Sequence, residues 1–234
     1  MNHPINILST RLIDNLLIKD AKSKGIIIDC ISFIETTVSI NQEKKELIQA
    51  IAEKNNTIVF TSMNAAEAII ESLDGNRPTW DIYCMGGTTK TIIKDYFGID
   101  SIKGTGKDAM SLAEGMIANN TKEAVFFCGN IRRDELPQLL KNNQIGLEEM
   151  VVYETNTTAH YINKAYDAIL FFSPSAVESF FSVNKIEEQT VLFAIGNTTA
   201  KAIGNYSTNK IVKSDSPEKD SLVRKAIGYF NSTQ

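Results

Sequence analysis

The sequence predicts an α/β protein with parallel sheets, on three observations. Short apolar runs alternate with amphipathic stretches of ~10–15 residues along nearly the whole chain. The runs are continuously apolar rather than alternating, as expected of strands buried on both faces. Two long stretches also repeat in order, so one α/β unit is present twice.

Taken in order, INILS at Ile5–Ser9 reads as a strand, followed by a helical stretch around 12–24 and a second strand at 30–36. A polar SINQEKK leads into a helix ending near Lys54. TIVFT (57–61) is a strand, and a Ser62/Asn64 cap opens a helix that runs to Leu73. Strand 82–85, helix 88–97, a short strand at 101–103 and helix 109–118 follow. AVFFC (124–128) is a strand, 134–142 a helix and EEMVVYET (148–155) a strand. After the polar stretch TNTTAHYINK come strands at 168–172, 191–195 and 210–212, each with a helix behind it.

The repeat is specific in places. TIVFTSMNAAEAIIESL resembles AILFFSPSAVESFFSV at an offset of 111 residues, and CMGGTTKTI resembles AIGNTTAKAI at an offset of 110. The remaining β-α-β units correspond as well, one ending in Glu35-Thr36 and the other in Glu154-Thr155. Both of these strands run into polar segments, the natural crossing points between domains. The first domain is therefore expected at 1–36 plus 166–234, and the second, inserted, at 40–153, with linkers at 37–39 and 154–165. Two sequential halves divided near residue 120 are the alternative.

Composition restricts the chemistry. With 24 Lys plus Arg against 28 Asp plus Glu, the net charge is −4, so no overall field attracts nucleic acid or anionic lipid. An anionic ligand must be held by local donors. Two histidines, His3 and His160, and three scattered cysteines, Cys30, Cys84 and Cys128, argue against a His base, a metal cage or a disulfide framework. The cysteines lie in apolar runs and read as reduced core thiols. No apolar run has membrane-spanning length and MNHPINILSTR has no signal-peptide pattern, so a cytoplasmic protein is expected.

Four strand-to-helix turns are suited to anions: Thr61-Ser62-x-Asn64, Gly86-x-Thr88-Thr89, Ser173-Pro174-Ser175 and Gly196-x-Thr198-Thr199. Each puts hydroxyls and free N–H groups at a helix N-terminus, beyond the carboxyl end of a strand, where ligands of open α/β sheets bind. Plain N-capping explains any one of them. Four in a repeated pair favour a binding cleft between two domains. Arg11 and Arg132-Arg133 also follow strands and could pair with carboxylates, or simply be solvated. Tyr153 is either a packing residue or a phenol able to donate a proton.

Other motifs fall short. Gly104-x-Gly106-x-x-Ala109 fits G-x-G-x-x-A, but no acidic residue ends the next strand, and the segment also lacks the residues of a P-loop. There is no G-x-S-x-G elbow and no C-x-x-C or H-x-x-H spacing. The remaining alternatives are a nucleotide-binding Rossmann enzyme and a non-catalytic two-domain binder of a polyanion.

In this order and spacing, FTSMNA, CMGGTT, FFCGNIRRDEL, VVYET, FFSPSAVESF and AIGNTTAKA resemble the uroporphyrinogen-III synthase family over about residues 5–230. The resemblance implies two Rossmann-like or flavodoxin-like α/β domains with parallel sheets, joined by a two-stranded linker. It implies cyclisation of the linear tetrapyrrole hydroxymethylbilane to uroporphyrinogen III, with inversion of ring D through a spiro intermediate and loss of water. No cofactor or metal is implied. A monomer is expected, with at most transient contact with the preceding enzyme of the pathway and none with nucleic acid or membrane. Tyr153 matches the family tyrosine proposed as proton donor. Thr61, Ser62, Asn64, Thr88, Ser173, Ser175, Thr198 and Thr199 match the binding set, with the backbone of Gly86, Gly129 and Gly196. Arg11 and Arg133 match its arginines. Pro174 departs from the pattern by removing an N–H donor, and Cys128 stands where some members carry Arg.

Overall fold

The computed structural model describes residues 4–216 and 218–231; His3 lies outside them. The chain runs β1 (Ile5–Ser9), α1 (Asn15–Ser23), β2 (Ile26–Cys30), β3 (Ile34–Val38), α2 (Gln42–Ala52), β4 (Thr57–Phe60) and α3 (Met63–Ser72). It continues β5 (Asp81–Met85), α4 (Thr88–Phe97), β6 (Ile102–Gly106), α5 (Ala109–Ala118), β7 (Glu123–Gly129), α6 (Glu135–Asn142) and β8 (Gly146–Thr157). The last part is β9 (Ala168–Phe171), α7 (Pro174–Phe181), β10 (Val191–Ala194), α8 (Asn197–Gly204), β11 (Ile211–Lys213) and α9 (Lys219–Asn231).

Two compact units result, one from residues 1–35 with 156–234 and the other from residues 36–155. The chain leaves the first unit along β3 and returns along β8, and these two strands are neighbours in one sheet. The expected single strand at 30–36 is in fact two, β2 and β3. The run GIIIDCISFIE contains no breaker between Gly25 and Glu35, which hid the break in the sequence. Between the two strands Phe33 turns fully into the core, and the Ser32 hydroxyl closes the bend on the Ile34 carbonyl at 2.7 Å. Strand β8 extends through polar Asn156 and Thr157 because β3 supplies partners alongside. The Ser39 N–H bonds the Val152 carbonyl at 2.9 Å, and the Thr158 N–H bonds the Phe33 carbonyl at 2.9 Å.

The first unit orders its strands β11-β10-β9-β1-β2, and the second orders them β3-β8-β7-β4-β5-β6. Pairings across β11-β10-β9-β1-β2 and across β8-β7-β4-β5-β6 are all parallel. Superimposing the orders equates β9, β10, β11, β1 and β2 with β4, β5, β6, β7 and β8. The two sheets are therefore one arrangement entered at different points of the chain. In each, the winding reverses between two central strands, β9 and β1 or β4 and β7, which is the switch point where open α/β sheets hold ligands.

Helices cover both faces of each sheet. In the first unit one core layer gathers Leu17, Leu222, Val223 and Ile227 against Ile7 and Leu170, and the other gathers Phe171, Val177, Phe180 and Ile203 with Phe33. In the second unit Ile48, Ile69, Trp80 and Ile93 pack on Phe60 and Phe127, and Leu112, Met116, Leu136 and Leu140 pack on Val59 and Phe126. Burial on both faces explains why the strand runs are continuously apolar.

Burial also sets the thiols. Cys84 and Cys128 are pushed up to about 11, each chiefly by loss of hydration, and Cys30, half-buried, is raised in the same sense. At pH 8 only about one in a thousand of the two buried thiols is ionised. A thiol reagent at pH 8 should therefore label at most Cys30 in the native protein and all three cysteines after unfolding. Labelling of two or more in the native protein would contradict this packing.

Candidate active site

The carboxyl edge of the second unit's sheet is built from four adjacent strand ends. After β4, Ser62 caps α3, its Oγ accepting the Asn64 N–H at 3.2 Å. After β5, Gly87 takes a left-handed φ of 69° and begins α4 with no side-chain cap. The sequence motif pointed to Gly86, yet the Gly86 N–H is spent on the Gly106 carbonyl at 3.0 Å, and the bend falls on its neighbour. Thr88 is exposed at the start of α4 and Thr89 is buried beneath it. The uncapped first-turn N–H groups of α4 can accept an anion; in α3 the cap already uses one of them.

After β7 come Gly129 and Asn130. The Asn130 N–H bonds the Tyr153 carbonyl at 3.2 Å, and its Oδ1 accepts the Thr155 N–H at 2.8 Å, tying the end of β7 to β8. The sequence singles out Gly129 for its backbone but not Asn130, whose side chain makes this tie.

Tyr153 owes its direction to a bulge. Cys128 pairs with Val151, but Gly129 pairs with Tyr153, so β8 carries an extra residue there. Regular alternation would face Tyr153 with Leu147 and Val151 toward α5 and α6. The bulge turns it to the other face, where it packs with Met150 and Val152 on the α3 side. Its hydroxyl lies 3.0 Å from the Ser62 Oγ. The ring crosses Gly129 so closely that a Cβ there would sit 2.4 Å from Cζ and 2.8 Å from Oη.

The first unit repeats the plan. Ser173 caps α7 through the Ala176 N–H at 3.1 Å, and Pro174 occupies the first helical position, where no helical hydrogen bond is lost. Ser175 is half-buried beside it. Gly196 begins α8 with no side-chain cap, as Gly87 does for α4. Thr198 is exposed, but Thr199 is buried, so its hydroxyl, expected to face a ligand, is withdrawn into the core. Helical geometry places neighbouring residues on different faces, and the Thr-Thr doublet gave no sign of which one turns inward. Lys213, at the end of β11, bonds Asn197 Oδ1 at 2.9 Å and adds a positive charge near α8; the sequence drew no attention to it.

At the β1–β9 switch point the buried Thr10 hydroxyl bonds the Leu170 carbonyl at 2.8 Å, and exposed Arg11 follows. Arg132 is not free to take a ligand: it pairs with both Asp134 and Glu149. Arg133 is exposed at the same exit.

The G-x-G segment has a structural explanation. Gly104 and Gly106 lie within β6, and a Cβ on either would come within 2.7 Å of Tyr83 or Leu112. The helix behind them is capped by Asp108, whose carboxylate accepts the Ser111 N–H at 2.8 Å and is held below the usual range by that bond. A carboxylate already fills the position a phosphate would need.

Each unit is thus an open, parallel α/β module with helix N-termini ranged along the carboxyl edge of its sheet. The family model for uroporphyrinogen-III synthase HemD matches residues 16–224, and the chain belongs to that family. Its enzymes cyclise hydroxymethylbilane in porphyrin and heme biosynthesis. In fold it is similar to uroporphyrinogen-III synthetase from Helicobacter pylori, with a TM-score of 0.67 at 15% identity, covering 96% of this chain and 99% of that one. It is also similar to a mutant uroporphyrinogen III synthase from Thermus thermophilus, with a TM-score of 0.69 at 12% identity, covering 98% of this chain and 100% of that one. The wild-type Thermus enzyme gives 0.57 at 14% identity, covering 98% and 99%. Among the described residues no helix is long and apolar enough to cross a membrane.

Gly129→Ala tests the ring contact. A methyl group at 2.4 Å from Cζ must displace Tyr153 or the strand end. Denaturant unfolding should show a loss of about 1–3 kcal/mol, as for overpacked sites. A change within about 0.5 kcal/mol would show that the ring does not lie against Gly129.

Proposed function

We propose that this chain converts hydroxymethylbilane to uroporphyrinogen III with inversion of ring D and loss of water, the carboxyl edges of the two sheets supplying the groups that hold the substrate's carboxylates. The observation that carries this reading is the duplicated edge: equivalent strands β5 and β10 each lead into a helix with an uncapped N-terminus. A chain with a net charge of −4 holds a polycarboxylate more readily by such N–H groups and hydroxyls than by its overall field. Thr61, Ser62, Asn64 and Thr88 serve on one unit, with Gly129 and Arg133. Ser173, Ser175, Gly196, Thr198 and Arg11 serve on the other, Thr199 contributing at most through its backbone.

The chemistry asks little of the side chains. Loss of the hydroxymethyl hydroxyl leaves an azafulvene cation stabilised by the pyrrole nitrogen. Attack through the substituted carbon of the terminal ring gives the spiro intermediate, which fragments and recloses with that ring inverted. The protein must hold the chain so that this route outruns direct closure, a task of positioning. Tyr153 supplies a proton to the departing hydroxyl, and the proton lost when the new pyrrole bond rearomatises restores the balance.

Supplying hydroxymethylbilane and separating the product isomers tests the reading. The wild-type protein should give isomer III; isomer I alone, the uncatalysed product, would refute it. Tyr153→Phe should lower kcat by about a hundredfold, within the range of a lost general acid, and leave KM within about threefold. Unchanged kcat would remove Tyr153 from the mechanism.

A further inference from the structure

The bulge in β8 and the bare Cα of Gly129 bring the Tyr153 hydroxyl to one polar group, the Ser62 Oγ at 3.0 Å. Ser62 Oγ also accepts the Asn64 N–H at 3.2 Å. A serine hydroxyl offers two lone pairs and one proton. With the lone pairs taken by Tyr153 and Asn64, the proton of Ser62 is left to donate outward, at the carboxyl edge where α3 begins. Resting on the synthase reading above, we propose that Tyr153 reaches the substrate through Ser62: Ser62 is the group that touches the leaving hydroxyl, and Tyr153 resupplies its proton.

The step balances. As the carbon–oxygen bond of the hydroxymethyl group breaks with its electron pair going to oxygen, the Ser62 proton moves to that oxygen and water leaves. The Tyr153 proton moves to Ser62 Oγ, leaving a phenolate and a substrate cation. Rearomatisation after ring closure releases one proton, which returns to the phenolate through the same serine. The N-terminus of α3 and the Asn64 N–H favour negative charge on the Ser62 oxygen, which eases its loss of a proton during transfer. Gly129 is a positioning residue in this scheme, since any side chain there evicts the ring that carries the second proton.

The test separates capping from proton transfer. Asparagine caps helices as well as serine does but has no hydroxyl to pass a proton on, whereas threonine keeps both functions. With hydroxymethylbilane as substrate, Ser62→Asn should keep the wild-type unfolding midpoint and lower kcat about as far as Tyr153→Phe, roughly a hundredfold, with KM little changed. Ser62→Thr should recover at least about tenfold of that loss. The double variant Ser62→Asn/Tyr153→Phe should be no slower than either single one, because both remove the same relay. A Ser62→Asn kcat within about threefold of wild type, or single losses that multiply in the double variant, would overturn the relay while leaving the synthase reading intact. Failure of the wild-type protein to form isomer III would overturn both.

Discussion

The feature on which the rest of the site depends is that parallel strands end together. Where the winding of each sheet reverses, between β9 and β1 and between β4 and β7, the neighbouring strand ends carry their helices to opposite faces and leave a crevice at the carboxyl edge. What fills that edge differs from strand to strand. Serines cap α3 and α7 and so occupy part of their own donor groups, whereas glycines open α4 and α8 with no side-chain cap. The duplication preserves this alternation, a serine cap followed by a glycine opening, in both units.

The second unit adds something the first lacks. By the repeated Glu-Thr motif the position equivalent to Tyr153 would be Ile34; by strand pairing it is Cys30, which pairs with Ser9 as Tyr153 pairs with Gly129. There the register is regular and the side chain is a small, half-buried thiol. In the second unit a bulge, a glycine and a tyrosine occur together, each needed for the phenol to cross the strand end and meet α3. On one side of the duplicated scaffold, one regular rung of the ladder is thus replaced by a bulge that sets a phenol against the start of α3.

Much of this was legible in the sequence. Helices 88–97 and 109–118 were read to the residue, because Gly, Asp and Asn mark their ends and their apolar spacing is clear. Continuous apolar strands gave the α/β class, and the repeat gave the duplication. The break between β2 and β3 was hidden because isoleucines run through it with no glycine or proline. The roles of individual glycines were also hidden: Gly104 and Gly106 imitate a phosphate loop but clear space for Tyr83 and Leu112, and the left-handed turn falls on Gly87 rather than Gly86. A bulge leaves no trace in composition. The contact of Tyr153 with Ser62, 91 positions apart, exists only once the sheet has formed.

The central claim is that helix N-termini and hydroxyls at the two carboxyl edges, rather than a basic patch, bind the polycarboxylate. Backbone amide NMR of the protein titrated with uroporphyrinogen III under anaerobic conditions tests it most directly. The account predicts that the largest shifts fall on the amides of residues 62–64 and 87–90 in one unit and 173–176 and 196–199 in the other. Shifts confined to one unit, or to the opposite ends of the strands around Asn56, Lys122 and Gly146, would contradict it.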